Sequence, residues 1–272
     1  MPAPDAFPTR YGPWALVAGA AVGLGAEYAR QLAARGLAVA MIDRDAGALE
    51  ATAAEIRAGG GAVRTLALDL ARPDLGDAVR AATADLEIGL LVYNAAIGTV
   101  SPFLEVPTAG MQAMLDVNCR GPLLLAHALL PAMVARRRGG IVLMSSMAAD
   151  FGSAQLAVYA ATKAFDLVLA EALWAELREH GVDVLAVQPG STRTPGWQAS
   201  QPPELRGPGP HVMEPPDVVR EALAALGVEP TVVPGEANRQ GAQMLATLPR
   251  RDAIALMSRI TATLLPTART VA

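Results

Sequence analysis

Short apolar runs alternate along the chain with longer stretches in which apolar positions recur every three or four residues. The runs predict strands at Ala15–Ala18, Ala38–Ile42, Val63–Leu68, Leu90–Tyr93, Ile141–Met144, Val182–Val187 and Thr231–Val233. The periodic stretches predict helices at Gly25–Arg35, Ala46–Ala58, Leu75–Leu86, Thr108–Arg137, Val158–His180 and Pro216–Leu226. An unbroken apolar run suits a strand covered on both faces, whereas a sheet with one wet face would alternate apolar with polar. Strand and helix in alternation build βαβ units. The expected fold is therefore α/β: a doubly wound parallel sheet of about seven strands, with helices on both faces. No repeat or long linker divides the sequence, so a single domain over residues 1–272 is expected.

Two stretches break the rhythm. Ser191–Pro216 is rich in Pro and Gly, and so long an irregular segment in a compact domain is expected to act as a lid over the substrate. Residues 236–272 carry Ile254, Met257, Ile260 and Leu264 at helical spacing, with Arg interspersed. A C-terminal helical extension covering the domain is expected there. Packing on a partner subunit, or lying on a membrane surface, are the alternatives.

Composition narrows the class. The chain has 272 residues, 52% hydrophobic and 18% charged, enough for a large core without disulfide or metal staples and too apolar for disorder. A net charge of −4 argues against nucleic acid as the main partner. The lone Cys119 rules out an intrachain disulfide and fits a reducing compartment. Met1–Pro13 has no apolar core of a signal peptide, and the longest apolar run, Pro122–Ala135, is shorter than the ~20 residues that span a bilayer. A cytoplasmic protein without a membrane span is expected. Of the 22 basic residues, only Lys163 is a lysine.

Candidate chemistry falls at the strand ends. Gly19, Gly23 and Gly25 lie between the first strand and the first helix, where a tight turn and unpaired helix N–H groups can receive a pyrophosphate. Their spacing is G-x-x-x-G-x-G, and ordinary turn glycines are the plainer alternative. Asp43 ends the second strand and is placed to accept hydrogen bonds from an adenosine ribose while repelling a 2′-phosphate; Arg44 would instead attract that phosphate. Asp69, after the third strand, is either an adenine contact or a capping acid. Tyr159 and Lys163 are four residues apart and share a helix face, where an ammonium favours the phenolate form and equips a tyrosine for proton exchange. Ser146 follows the strand ending at Met144 and is placed to hold a substrate oxygen; a helix-capping or turn serine is its plainer alternative, a role that suits its neighbour Ser145 better. Asn118 is either a satisfied core amide or the holder of a water that relays protons to Lys163.

Taken together, "AGAAVGLG" at 18–25, "YNAAIG" at 93–98, Asn118, Ser146, "YAATK" at 159–163 and "PGSTRT" at 189–194 resemble the short-chain dehydrogenase/reductase family. The likeness is to its short single-domain branch with a Ser–Tyr–Lys catalytic set, and it covers about residues 12–235. The resemblance implies Tyr159 as catalytic acid/base and Lys163 as the group that binds the nicotinamide ribose and lowers the phenol pKa. It implies Ser146 as the group that polarises the substrate oxygen and Asn118 as the end of the proton relay. It also implies a cofactor site lined by Gly19, Gly23, Leu24, Gly25, Asp43, Arg44, Asp69, Leu70, Asn94, Ala95, Tyr159, Lys163, Pro189, Gly190, Thr192 and Thr194. NAD is the expected cofactor and NADP the alternative. Three positions depart from the family pattern: Ala18 replaces Thr, Tyr93 replaces Asn, and Ala96 replaces Gly, where its methyl would crowd the cofactor or alter the backbone angle.

The implied reaction is hydride transfer between nicotinamide and a secondary alcohol or ketone. Ile97, Phe103, Phe151, Leu156, Trp197 and Met213 form a mostly apolar loop set that suits an aromatic, steroid-like or acyl substrate, or else they are plain loop anchors. Arg193, Arg206 and His211 are the polar lid residues. His127, His180 and His211 have no metal-ligand spacing, and no metal is expected; His180 reads as a helix C-terminal residue. Leu123, Leu124, Leu129 and Met133, with Phe165, Leu169, Leu173 and Trp174, leave two helices apolar on more than one face. A homodimer or homotetramer is implied, with coverage by the C-terminal tail as the alternative. A catalytically silent nucleotide-binding or scaffold protein, or an imine or enoyl reductase on the same site, are the competing functions.

Overall fold

The computed structural model describes residues 6–200, 212–264 and 269–271. Its strands are β1 (Trp14–Ala18), β2 (Ala38–Asp43), β3 (Val63–Ala67), β4 (Ile88–Tyr93), β5 (Gly98–Val100), β6 (Gly139–Met144), β7 (Val182–Val187), β8 (Thr231–Val232) and β9 (Arg269–Val271). Its helices are α1 (Ala6–Tyr11), α2 (Gly23–Ala34), α3 (Ala46–Ala58), α4 (Leu75–Ala82), α5 (Thr108–Leu115), α6 (Gly121–Arg136), α7 (Ala157–Leu177), α8 (Pro195–Ser200), α9 (Pro215–Ala225), α10 (Glu236–Thr247) and α11 (Arg250–Leu264). Seven strands form one sheet in the order β3-β2-β1-β4-β6-β7-β8, every pairing parallel. The chain starts at the sheet centre and winds outward in both directions. The crevice at the C-terminal ends of β1 and β4 is therefore the topological switch point, where such folds receive ligands.

The unbroken apolar runs are explained by two cores. Ala15 and Val17 of β1, with Leu90 and Val92 of β4, face Tyr28, Leu32, Leu49 and Val219. Their neighbours Leu16, Ala18, Leu91 and Tyr93 face Leu75, Val79, Leu125, Met133 and Ala170 on the other side. Period-two alternation is present, but both sets are apolar because helices cover both faces. Asp45 begins α3 by accepting the Ala48 N–H at 3.0 Å, which satisfies one orphan donor of its first turn.

The stretch expected as one helix, Thr108–Arg137, is three pieces. A five-residue π turn, Asp116–Arg120, joins α5 to α6. The 29-residue helical stretch Thr108–Arg136 is long and apolar enough by length and composition to cross a membrane. Its α6 part packs on β4 and β6 and contributes Leu125, Leu129 and Met133 to the core. Leu123 and Phe165 stay exposed, as do Leu115 and Val168. The C-terminal tail does not cover these four residues: α11 packs on the domain elsewhere, against the loop after β6. There the Ser153 and Thr261 hydroxyls are 2.6 Å apart, and Ser258 Oγ accepts the Ala154 N–H at 3.0 Å. β9, at the far end of the chain, pairs antiparallel with β5. Neither strand was expected, because each is only three residues long and depends on the other.

Candidate active site

The glycine turn fits a dinucleotide. Gly19 has φ +79°, and a Cβ there would lie 2.7 Å from Ala95 Cα. At Gly25 a Cβ would collide with the Gly19 carbonyl oxygen, so helix and loop close only around a glycine. Val22, before α2, makes no side-chain cap, which leaves the first N–H groups of that helix free of a side-chain acceptor. Among the other cofactor candidates, Asn94 fixes this loop by donating to Gly19 O at 2.9 Å. Asp43 accepts the Ala21 N–H at 3.1 Å and the Asp45 N–H at 3.1 Å, so the acid at the end of β2 borders the turn. Arg44 is exposed. Asp69 accepts the Ala71 N–H at 2.9 Å, and the Leu70 side chain is in the core. Ala18 is fully buried, and its carbonyl accepts the N–H groups of Asn94 and Ala95. Ala96 does not adopt positive φ, so its methyl group imposes no left-handed strain.

The catalytic candidates gather on α7 and the turn after β6. Tyr159 is half-buried, and its ring lies against Gly98 of β5, where a Cβ would come within 2.9 Å of Cδ2. Lys163 is buried at 2% exposure, and its ammonium donates to Met144 O at 2.7 Å and to Asp166 Oδ2 at 3.0 Å. Burial alone would lower its pKa; the charges of Asp166 and Tyr159 outweigh it and hold the ammonium above its ordinary range. Burial pushes the Asp166 carboxyl up to about 6, against the pull of Lys163. Asn118 is fully buried, and its side-chain amide exchanges two hydrogen bonds with the Ile97 main chain and donates to Thr162 at 3.0 Å. It is thus a satisfied core amide, and only its main chain is left for a relay. Tyr93, in place of the expected Asn, sends its hydroxyl to Val117 O at 2.6 Å, within the π turn.

The two serines divide their work, and Ser146 takes the capping role that was its plainer alternative. Ser146 caps the short turn Met147–Ala149 by accepting the Ala148 N–H at 3.1 Å. Ser145 donates to Lys163 O at 2.7 Å and ties β6 to α7. The capping role expected of Ser145 therefore belongs to Ser146.

The loop residues 188–194 close the same edge. Pro189 O accepts the Met147 N–H, and Gln188 donates to Asp150 at 2.8 Å. A Cβ at Gly190 would crowd Asn238 of α10. Thr192 is buried and forms a parallel β-bridge with Met213. Thr194 lies against Gly23 and accepts the Trp197 N–H at 3.1 Å. Arg193 pairs with Glu214 at 2.6 Å. Phe151 lies 5.4 Å under the Arg250 guanidinium, and Leu156 precedes α7. His211 and Arg206 lie outside the described residues. Asp166 was missed by sequence reasoning, although an acid three residues after Lys163 on one helix was a readable signal.

A glycine turn at a helix N-terminus and a tyrosine and buried lysine on the same sheet edge are what a dinucleotide-dependent oxidoreductase needs, and fold and site fit that class. Residues 13–205 match the family model described as short chain dehydrogenase. The chain belongs to the short-chain dehydrogenase/reductase family. It is 31% identical over 255 residues to a 7beta-hydroxysteroid dehydrogenase of Clostridium sardiniense, covering 93% of this chain and 97% of that one. It is 35% identical over 179 residues to a very-long-chain 3-oxoacyl-CoA reductase of Podospora anserina, covering 64% of this chain and about half, 53%, of that longer relative. A solved structure from work on 7beta-hydroxysteroid dehydrogenase stereoselectivity superposes with a TM-score of 0.85 at 30% identity, over 92% of this chain and 98% of that chain. A short-chain dehydrogenase from Sphingobium yanoikuyae in complex with NADPH gives 0.73 at 31% identity, over 88% and 97%.

Proposed function

We propose that this oxidoreductase interconverts a secondary alcohol and its ketone on an apolar, steroid-sized or acyl substrate, with NAD as the preferred cofactor. The observation that carries the reading is the placement of Tyr159 and the buried Lys163 on α7, which packs on the turn after Ser146 at the same C-terminal sheet edge as the glycine loop. The dinucleotide, when bound, gives or takes the hydride. The uncapped start of α2 receives the pyrophosphate, with Gly19, Gly23, Leu24 and Gly25 clearing its path. Asp43 accepts the adenosine ribose hydroxyls, and Asp69 and Leu70 border the adenine by their main chain. Asn94, Ala95, Pro189, Gly190, Thr192 and Thr194 frame the nicotinamide half. Lys163 offers its remaining N–H to the ribose. Ser146 holds the substrate oxygen, and Tyr159 exchanges the proton with it.

Asp43 at the end of β2 supports NAD, because its carboxylate would repel a 2′-phosphate. The hydroxysteroid dehydrogenase, alike over nearly the full length, supports an apolar secondary alcohol over a sugar. Ile97, Phe151, Leu156 and Trp197 would line that pocket; His211, the other candidate, lies outside the described residues. The exposed Leu115, Leu123, Phe165 and Val168 support a homodimer or homotetramer, and the cytoplasm is the proposed compartment.

The test follows reduced-nicotinamide absorbance over a panel of steroid and aryl alcohols, ketones, imines and enoyl compounds, with NAD and NADP in parallel. Turnover of an apolar alcohol or ketone, faster with NAD, is expected. Tyr159→Phe should lose most of that turnover and keep cofactor affinity. Turnover confined to imines or enoyl compounds, or a fully active Tyr159→Phe, would refute the assignment.

A further inference from the structure

The loop that leaves β3 is braced by a residue far from it in sequence. Arg120 closes the π turn, 49 residues after Ala71, and its Nη2 donates to the Ala71 carbonyl. Its Nη1 pairs with Asp116 Oδ1 at 2.8 Å, one turn earlier. Its Nε is buried and has no hydrogen-bond partner among the described residues. An i,i+4 ion pair on a helix surface needs none of this burial, and an N–H shut away from water without an acceptor costs free energy. The bond to the loop is what draws the guanidinium inward. The two ends of that bond are unequal. The π turn is held firmly: Tyr93 donates to Val117 O at 2.6 Å, and the Asn118 amide bonds the Ile97 main chain and Thr162. The loop is held mostly by itself. Asp69 accepts the Ala71 N–H at 2.9 Å, its carbonyl accepts the Arg72 N–H at 3.3 Å, and Arg72 pairs with Asp74. Within residues 69–74, Leu70 alone is buried. A side chain from the fixed element therefore sets where the Ala71 peptide lies.

We propose that Arg120 is a positioning residue for the adenosine half of the cofactor. It holds the 69–71 loop in the conformation in which Asp69 and Leu70 border the adenine, before the cofactor arrives. The inference rests on the dinucleotide reading of this sheet edge and deepens it. The turn that carries Asn118 gains a second task, at the far end of the same ligand. A loop ordered in advance leaves less ordering cost to binding, so the brace is expressed as affinity. The planar fork of an arginine can meet an acid and a carbonyl at the same time, each through its own nitrogen.

ADP-ribose is the probe, because it carries the adenosine half without nicotinamide. It is titrated calorimetrically into the full chain, and amide hydrogen exchange is followed in the free proteins. Arg120→Met should weaken ADP-ribose binding by about 3–10-fold and speed exchange in residues 68–74, while the glycine turn, residues 19–25, exchanges as in wild type. Arg120→Lys keeps the charge but loses the fork, and should lose part of the affinity. It is measured alongside, so that one folded variant is enough. Unchanged ADP-ribose affinity in Arg120→Met, or in Arg120→Lys if only that variant folds, overturns the proposal. Weaker binding with exchange raised equally in the glycine turn would mean a general loosening, and overturns it as well. Failure of wild type itself to bind ADP-ribose would instead remove the dinucleotide reading, and this proposal with it.

Discussion

Lys163 sits where a broader cation has no room. Its ammonium is enclosed by Met144 O and Asp166, and the Ser145 hydroxyl fixes its own carbonyl. A guanidinium is planar, longer and less compact, so the charge would survive in Lys163→Arg while its position would not. Turnover in that variant is expected to fall by about 10²-fold, measured as kcat with any alcohol the wild type oxidises. Near-normal kcat would mean that charge alone suffices. The serine pair shows what residue-level reading misses. Ser145 and Ser146 are adjacent, and successive residues leaving a strand point to opposite faces. Which of them caps the next turn and which ties the strand to α7 depends on the exit path of the chain, and composition carries no record of that. Asp166 was missed for a different reason: its signal, opposite charges three apart on a helix, was present in the sequence and went unread.

Between elements, the join of α5 to α6 is the most constrained. Tyr93 projects from the end of β4 into the π turn and bonds Val117 O at 2.6 Å. A Cβ at Gly121 would collide with that phenol oxygen. Gly121→Ala is thus expected to destabilise by about 1–3 kcal/mol, through overpacking that shifts the turn carrying Asn118. Tyr93→Phe removes the oxygen and should recover part of the loss in the double variant, although alone it costs stability by leaving a buried carbonyl without its donor. Urea denaturation of the four proteins checks this, and simple additivity would count against the contact. The sheet strands and most helices were readable because burial imposes period two or 3.6 on the sequence. The π turn was not, since one extra backbone residue leaves the apolar periodicity almost unchanged. The β5–β9 pair was not either, since it joins the middle of the chain to its end.

For the molecule as a whole, the Lys163–Asp166 pair sets function against stability. Two charges at 2% exposure have lost their water, and their attraction recovers that loss only partly, because one carboxylate oxygen has no partner among the described residues. Replacing such a pair by apolar residues of similar size is often neutral or stabilising by about 1–4 kcal/mol, whereas removing one partner costs about 3–5 kcal/mol. The double variant Lys163→Met/Asp166→Leu should therefore be inactive yet at least as stable as wild type, while Lys163→Met alone should be markedly weakened. The pH dependence has a definite sign. The Asp166 carboxyl is raised by burial to about 6, above its unfolded value near 3.9, so the native state holds that proton more tightly. Its contribution is fully present below the unfolded value and is lost as pH rises through about 6. Lys163, raised above its ordinary value by Asp166, contributes stability that is lost only in strong alkali. Wild type should therefore lose ground to the double variant between about pH 4 and pH 6 and hold a steady gap from there to neutrality. Paired urea midpoints across that range measure the gap. A gap that stays flat, or closes as pH rises, would show that the buried carboxylate costs the fold nothing and that the pair is retained for stability after all.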